Sequence, residues 1–189
     1  MKKFAIFMVV ALQITVCACG TSPNTSTTNN TQTTGNWEAI LTGGTEQASL
    51  LNFVTTFSVT NSGPLDITAL SFFNSGACFA TGANATTESG SATLTTASAG
   101  TVTGTLTLTV NSVTPSGNSL ALTGNLTGTS NGTTTTTGAL SNGVVVGTWK
   151  LAGGQGDASC AGSGSFIMCQ TLSSGTTTTT GTGATCTAP

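Results

Sequence analysis

Between Thr101 and Val110 polar and apolar residues alternate without a break. Val102, Leu106, Leu108 and Val110 fall on one face with Gly104, and Thr101, Thr103, Thr105, Thr107 and Thr109 form the other. On a helix the same residues would scatter round the axis, whereas in a strand successive side chains point to opposite faces, so the pattern predicts a strand with one buried side. Leu120, Leu122 and Leu126 repeat it around Gly124, as do Val145, Trp149 and Leu151 around Gly147, with Lys150 on the outer face. A glycine inside three successive segments suits bulges, or bends where a sheet curls over itself, as barrels and strongly coiled sheets require.

Further strands are expected near Trp37 to Leu41, Phe53 to Thr60, Leu65 to Phe73, Ala77 to Ala80 and Ser165 to Cys169. Between strands lie Asn61-Ser62-Gly63-Pro64, Pro115-Ser116-Gly117-Asn118 and Ser141-Asn142-Gly143, which read as hairpin turns. No stretch has helical periodicity, and 44 of the 189 residues are Thr, a β-favouring composition. The expectation is an all-β fold: an antiparallel meander of about 8–9 strands, forming a closed or partly open barrel or, alternatively, a β-sandwich. One β-barrel-like domain should occupy 36–170, followed by a Thr/Gly-rich tail over 171–189.

The amino end is of another kind. Lys2 and Lys3 precede an apolar stretch from Phe4 to Val16, too short for a spanning helix and shaped like a secretory signal. Its end, Val16-Cys17-Ala18-Cys19-Gly20, resembles the bacterial lipobox, with an aliphatic residue at −3 and a small one at −1 before the modified cysteine. The resemblance implies that a signal peptide over 1–18 is removed and that Cys19 is the lipid attachment site, carrying two or three acyl chains such as palmitate. Gly20 in place of Asp then implies sorting to the outer membrane. Several acyl chains anchor stably, because each buried CH₂ contributes about 0.8 kcal/mol and a single chain is marginal.

From Gly20 to Gly35 the chain is Asn, Thr, Ser and Gly with one Pro and one Gln, and has no apolar side chain to bury. This stretch is expected to be a flexible tether over 19–35, spanning about 20 Å as a coil and about 50 Å when extended.

Charge excludes more than it suggests. The chain has 8 charged residues and no His or Tyr. Without the signal segment, Lys150 stands alone against Glu38, Glu46, Asp66, Glu88 and Asp157, a net charge of −4. One basic side chain cannot neutralise several phosphates, so neither nucleic acid nor a basic patch on anionic lipid is expected as partner. Attachment to the membrane should be through the lipid alone.

A serine or cysteine nucleophile needs a base in hydrogen-bond reach, and with no His no motif places one. The five carboxylates are scattered one per segment and read as solvated charges and not as a glycosidase pair. Asp157 lies in a Gly-rich loop that offers calcium a single carboxylate, where six to eight oxygens are needed. An enzyme is therefore not expected, nor is a cofactor.

Cys78, Cys160, Cys169 and Cys186 remain in an exported chain, where thiols oxidise. Three pairings are open. Cys78 with Cys160 and Cys169 with Cys186 is the expected set, each compatible with a strand end tied to a neighbouring element. With no CxxC and no His, no metal site is expected.

The run Ala77-Cys78-Phe79, the stretches SATLTTASAGTVTGTLTL and GNSLALTGNLTG, and the closing VVVGTWKLAGGQGDASCAGSGSF resemble small β-rich lipoproteins common in acidobacterial genomes. The resemblance implies a disulfide between Cys78 and Cys160 and carries over no catalytic residues. Trp37 and Trp149, each two residues after a glycine, also resemble the GxW element of calycin barrels, and are expected to plug one barrel end. The five-Thr runs at 133–137 and 176–180 read as a hairpin edge and an exposed tail.

Two functions remain open. One is a lipid-anchored, non-catalytic structural or surface-interaction module of the outer membrane, with a surface polymer or protein as partner. The other is a small apolar-ligand carrier of calycin type. A carrier needs an apolar pocket of roughly 300 Å³ or more, whereas a structural barrel is filled by its own side chains.

Overall fold

A computed structural model describes residues 31–33, 35–44, 51–74, 78–80, 84–97, 100–113, 117–132, 138–154, 158–171 and 186. The expected signal peptide, Cys19, Glu46, Asp157 and the Thr runs at 133–137 and 176–180 lie outside the described residues. Ten strands form: β1 (Thr31–Thr33), β2 (Asn36–Thr42), β3 (Phe53–Thr60), β4 (Ser62–Pro64), β5 (Asp66–Phe72), β6 (Thr86–Thr96), β7 (Thr101–Ser112), β8 (Ser119–Ser130), β9 (Gly138–Ala152) and β10 (Gly162–Thr171).

Antiparallel ladders join β2 to β3, β3 to β5, and β6 through β10 in sequence, and β10 returns to pair with β2 over seven residues. β1 makes a second closure, antiparallel to β3 and parallel to β9, so that β1, β3, β2, β10 and β9 form a closed five-strand ring. β4 and β5 are separated only by Leu65; β4 pairs with β6 and β5 with β3. That stretch spans the two halves of the wall. The fold is an all-β barrel and not a sandwich.

Alternation becomes two surfaces. One inner row reads Ala92, Leu106, Gly124, Gly147, Phe166 and Leu41 across six paired strands, and the adjacent outer row reads Ser91, Thr107, Thr123, Thr148, Ser165 and Thr42. Trp37, Trp149, Phe53, Phe57 and Phe166 are the largest fully buried side chains. Each contributes about 2–3 kcal/mol by leaving water.

The mid-strand glycines act as bends, not bulges. Register runs unbroken through Gly104, Gly124 and Gly147. A Cβ on Gly104 would run into the Thr93 carbonyl, and one on Gly147 into the Thr123 carbonyl, so the wall coils too tightly there for any side chain. Large residues face the space: Trp149 pairs with Gly164 and Phe166 with Gly147.

Five expectations are corrected. Asn61-Ser62-Gly63-Pro64 is not wholly a turn: Ser62–Pro64 is β4, paired with β6. Ser141-Asn142-Gly143 is not a turn but lies inside β9, beside a register shift opposite Thr127 to Thr129, with Asn142 at φ 53°. There β9 changes partners, from β10 beyond Val144 to β1 at Gly138 and Ala139. Ala77 to Ala80 is no strand: Cys78–Ala80 are described, with a single bridge at Phe79, because Cys78 is tied elsewhere by its disulfide. Thr31–Thr33, assigned to the tether, is β1, held by backbone pairing to β3 and β9 with the Thr33 side chain buried. The tryptophans do not share an end: Trp149 pairs with Gly164 and Trp37 with Gln170, six residues apart on β10, or about 20 Å along the strand.

Candidate functional site

The disulfides are Cys78–Cys160 and Cys169–Cys186. The first closes one end of the barrel. Phe79 follows Cys78 into the core and stacks on Phe72 with ring centroids 4.8 Å apart, while Phe72 meets Phe53 edge-on at 5.8 Å. Asn118, 2% exposed, binds this corner together: its Nδ2 donates to the Cys78 carbonyl at 2.9 Å, and its Oδ1 accepts the Gly154 N–H at 2.7 Å. The second disulfide lies on the outer face, because Cys169 pairs with Glu38 and Val144 in an outward row. Cys186 Sγ sits 3.7 Å from the Glu38 carbonyl oxygen.

Inside, Trp37 stacks on Phe57 at 5.2 Å, and Gln170 fixes the wall around them by accepting the Gly143 N–H at 3.2 Å and donating to the Leu140 carbonyl at 3.0 Å. Trp149 Nε1 donates to the Thr42 carbonyl at 3.1 Å, whereas Trp37 Nε1 is buried without a hydrogen-bond partner. The described interior is occupied by its own rings and aliphatic chains. The polar side chains on the inner face include Thr86, Glu88 and Ser112, which come together where β6 begins and β7 ends.

The outer surface is divided. Over β6, β7 and β8 it is almost wholly hydroxylated, and Ser91 Oγ meets Thr107 Oγ1 at 3.0 Å across strands. Over β9, β10 and β2 the corresponding row is Val146, Ile167 and Ile40. Val146 is 51% exposed, and Val54 and Phe73, on the adjoining β3 and just past β5, are 36% and 53% exposed. Beside them lies a depression of about 290 Å³ over β2, β3 and β5, with Val54, Ala69 and Leu70 among its lining. The register shift between Thr56 and Phe57 and the small Ala69 and Ser71 side chains leave this room. Its polar edge is internally bonded: Thr56 Oγ1 donates to Asn36 Oδ1 at 2.7 Å and Thr171 Oγ1 to the Asn36 carbonyl at 3.1 Å.

Glu38, Asp66 and Glu88 lie on β2, β5 and β6. Glu38 pairs with Val54 and Asp66 with Ser58 on opposite sides of β3, which puts the two roughly 16 Å apart by strand spacing and rise. Glu88 accepts the hydroxyl of Thr86. No three His, Cys, Asp or Glu among the described residues could share a metal ion, and no helix among them is long and apolar enough to cross a membrane.

Sequence reasoning missed Asn118, Gln170 and the apolar outer stripe. Asn118 stands in a turn motif, where a solvated side chain is the ordinary expectation, and its burial follows only from the Cys78 segment folding over it. The stripe was readable as consecutive Val144-Val145-Val146 and Phe166-Ile167-Met168, runs that put apolar residues on both faces of a strand. No family model, no curated protein and no solved structure matches the chain.

Proposed function

We propose that the protein is a lipid-anchored, non-catalytic module of the cell envelope that works through its outer surface and not through an internal pocket. The observation that carries this reading is the occupancy of the barrel: Trp37, Trp149, Phe53, Phe57 and Phe166 fill the places where a carrier of this shape would hold its ligand. Exposed large apolar side chains lie instead on the outside, at Val54, Phe73, Val113 and Val146. Contiguous exposed apolar patches are characteristic of contact surfaces.

Anchoring through Cys19 rests on the lipobox resemblance, and outer-membrane placement on Gly20. Two disulfides suit an oxidising compartment. The partner on this reading is a surface polymer or protein.

The test is the intact mass of membrane-extracted, unreduced protein beside a Cys19→Ser control. A chain beginning at Cys19 with acyl groups and no free thiol supports the reading; an unacylated chain cut elsewhere removes the anchor. Native extraction followed by denaturing mass spectrometry addresses the pocket. A stoichiometric apolar ligand released on unfolding would favour the carrier instead.

A further inference from the structure

Three polar side chains meet on the inner face where β6 begins and β7 ends. Thr86 stands directly opposite Ser112, and Glu88 opposite Val110. The Val113 N–H donates to the Ala85 carbonyl, and the Ser112 N–H turns the other way, to the Asn118 carbonyl. Thr86 and Ser112 are therefore a non-hydrogen-bonded pair, the kind whose side chains come closest, with Cβ atoms about 5 Å apart. Thr86 Oγ1 donates to Glu88 Oε1. Ser112 is 6% exposed, and its Oγ is buried without a hydrogen-bond partner although two oxygen-bearing side chains face it from β6.

The charge at this corner is unbalanced. Glu88 is half-buried beside the fully buried Val110, where a carboxylate is costly unless a cation or donors face it. Among the described residues the basic side chain is Lys150, which points outward from β9 opposite Ser163 and Ala121. Between Thr86 and Ser89, β6 is paired with β7 alone among the described residues, and the wall is split there between β5 and β6. Thr86 and Glu88 are both half-buried, so solvent reaches them, whereas Ser112 lies behind them.

We propose that Thr86, Glu88 and Ser112 hold the ammonium group of an aliphatic primary amine, whose carbon chain leads back to solvent past the half-buried Thr86 and Glu88. An ammonium carries three N–H donors. This corner offers three acceptors: Glu88 Oε2, Ser112 Oγ, and the oxygen of Thr86, whose own proton goes to Glu88 Oε1. One positive charge balances one carboxylate, and hydrogen bonds between charged groups are the stronger kind. Calcium fits less well, since it takes six to eight oxygens and the corner has one carboxylate and two hydroxyls. The amine belongs either to a free small molecule or to a lysine side chain presented by a partner. The inference goes beyond the outer-surface reading and does not rest on it: failure of amine binding leaves that reading standing, and loss of the lipid anchor leaves this site standing.

The experiment titrates the oxidised full-length chain, at constant ionic strength, with n-butylammonium chloride, n-butanol and Nα-acetyl-lysine methylamide, and follows the backbone amide resonances. The site predicts saturable shifts within 86–88 and 110–112 with n-butylammonium and none with n-butanol. Glu88→Gln should weaken binding about tenfold and Ser112→Ala several-fold. Thr87→Ala, on the outer face of the same strand, should leave it unchanged. Comparable binding of the lysine derivative supports the site and assigns the amine to a partner's side chain; binding of n-butylammonium alone supports it and assigns a free small molecule. Shifts that do not saturate, n-butanol acting like the amine, or full binding by the Glu88→Gln variant would overturn the proposal, and water would then be what completes the Ser112 hydroxyl.

Discussion

Asn118 donates its side-chain amide to the Cys78 carbonyl across 2.9 Å, forty residues away in sequence, inside the barrel end that the Cys78–Cys160 disulfide closes. The same side chain accepts the Gly154 N–H at 2.7 Å, and its own carbonyl takes the Ser112 N–H. One buried amide thus joins three chain segments.

Asn118→Ala should lower stability by about 2 kcal/mol, because it removes two hydrogen bonds from this corner, one to the Cys78 carbonyl and one from the half-buried Gly154 N–H. Urea unfolding of the oxidised protein measures it. A loss below about 1 kcal/mol would show that water replaces the amide.

Gly147→Ala should be costly although alanine is small. Its Cβ would run into the Thr123 carbonyl and Gly124, backbone that cannot turn aside. A loss of about 3 kcal/mol or a failure to fold is expected, against the few tenths usual for an open surface position. The thermal midpoint of the purified variant decides.

The two disulfides should differ in worth. Cys78–Cys160 closes a separation of 82 residues and Cys169–Cys186 one of 17, so the chain-entropy account gives about 4.5 and about 3 kcal/mol. Paired Cys→Ser variants compared in urea should follow that order. Loss of the first also frees Phe79 from the core, which widens the difference.

Trp149→Phe should cost about 1 kcal/mol more than Trp37→Phe. Trp149 gives up a hydrogen bond to the Thr42 carbonyl, whereas Trp37 Nε1 has none to lose and a Phe at 37 keeps a ring against Phe57. Denaturant midpoints of the two variants test the order.

Strand identity was legible where a single face is buried. Thr101 to Val110 alternates cleanly in sequence and in burial, whereas Phe53–Thr60 alternates in burial with Val54 outside and Thr55 inside. The rule failed where tertiary demands exceeded it. Ser141-Asn142-Gly143 carries turn chemistry, yet β9 passes through it, because an αL residue at Asn142 is also what a strand needs to leave one partner for another. Thr31–Thr33 has no apolar side chain to announce it and exists through backbone pairing to β3 and β9.

By itself the sequence determined the class of fold, since alternation decides which side chains can share a face and the scarcity of charge leaves hydroxyls to meet water. Only the tertiary structure decided closure, the split between β5 and β6, and the burial of Asn118. Those depend on which edges meet across long separations, β10 on β2 and β4 on β6, and the pattern within any one strand is the same whether its edge is paired or free.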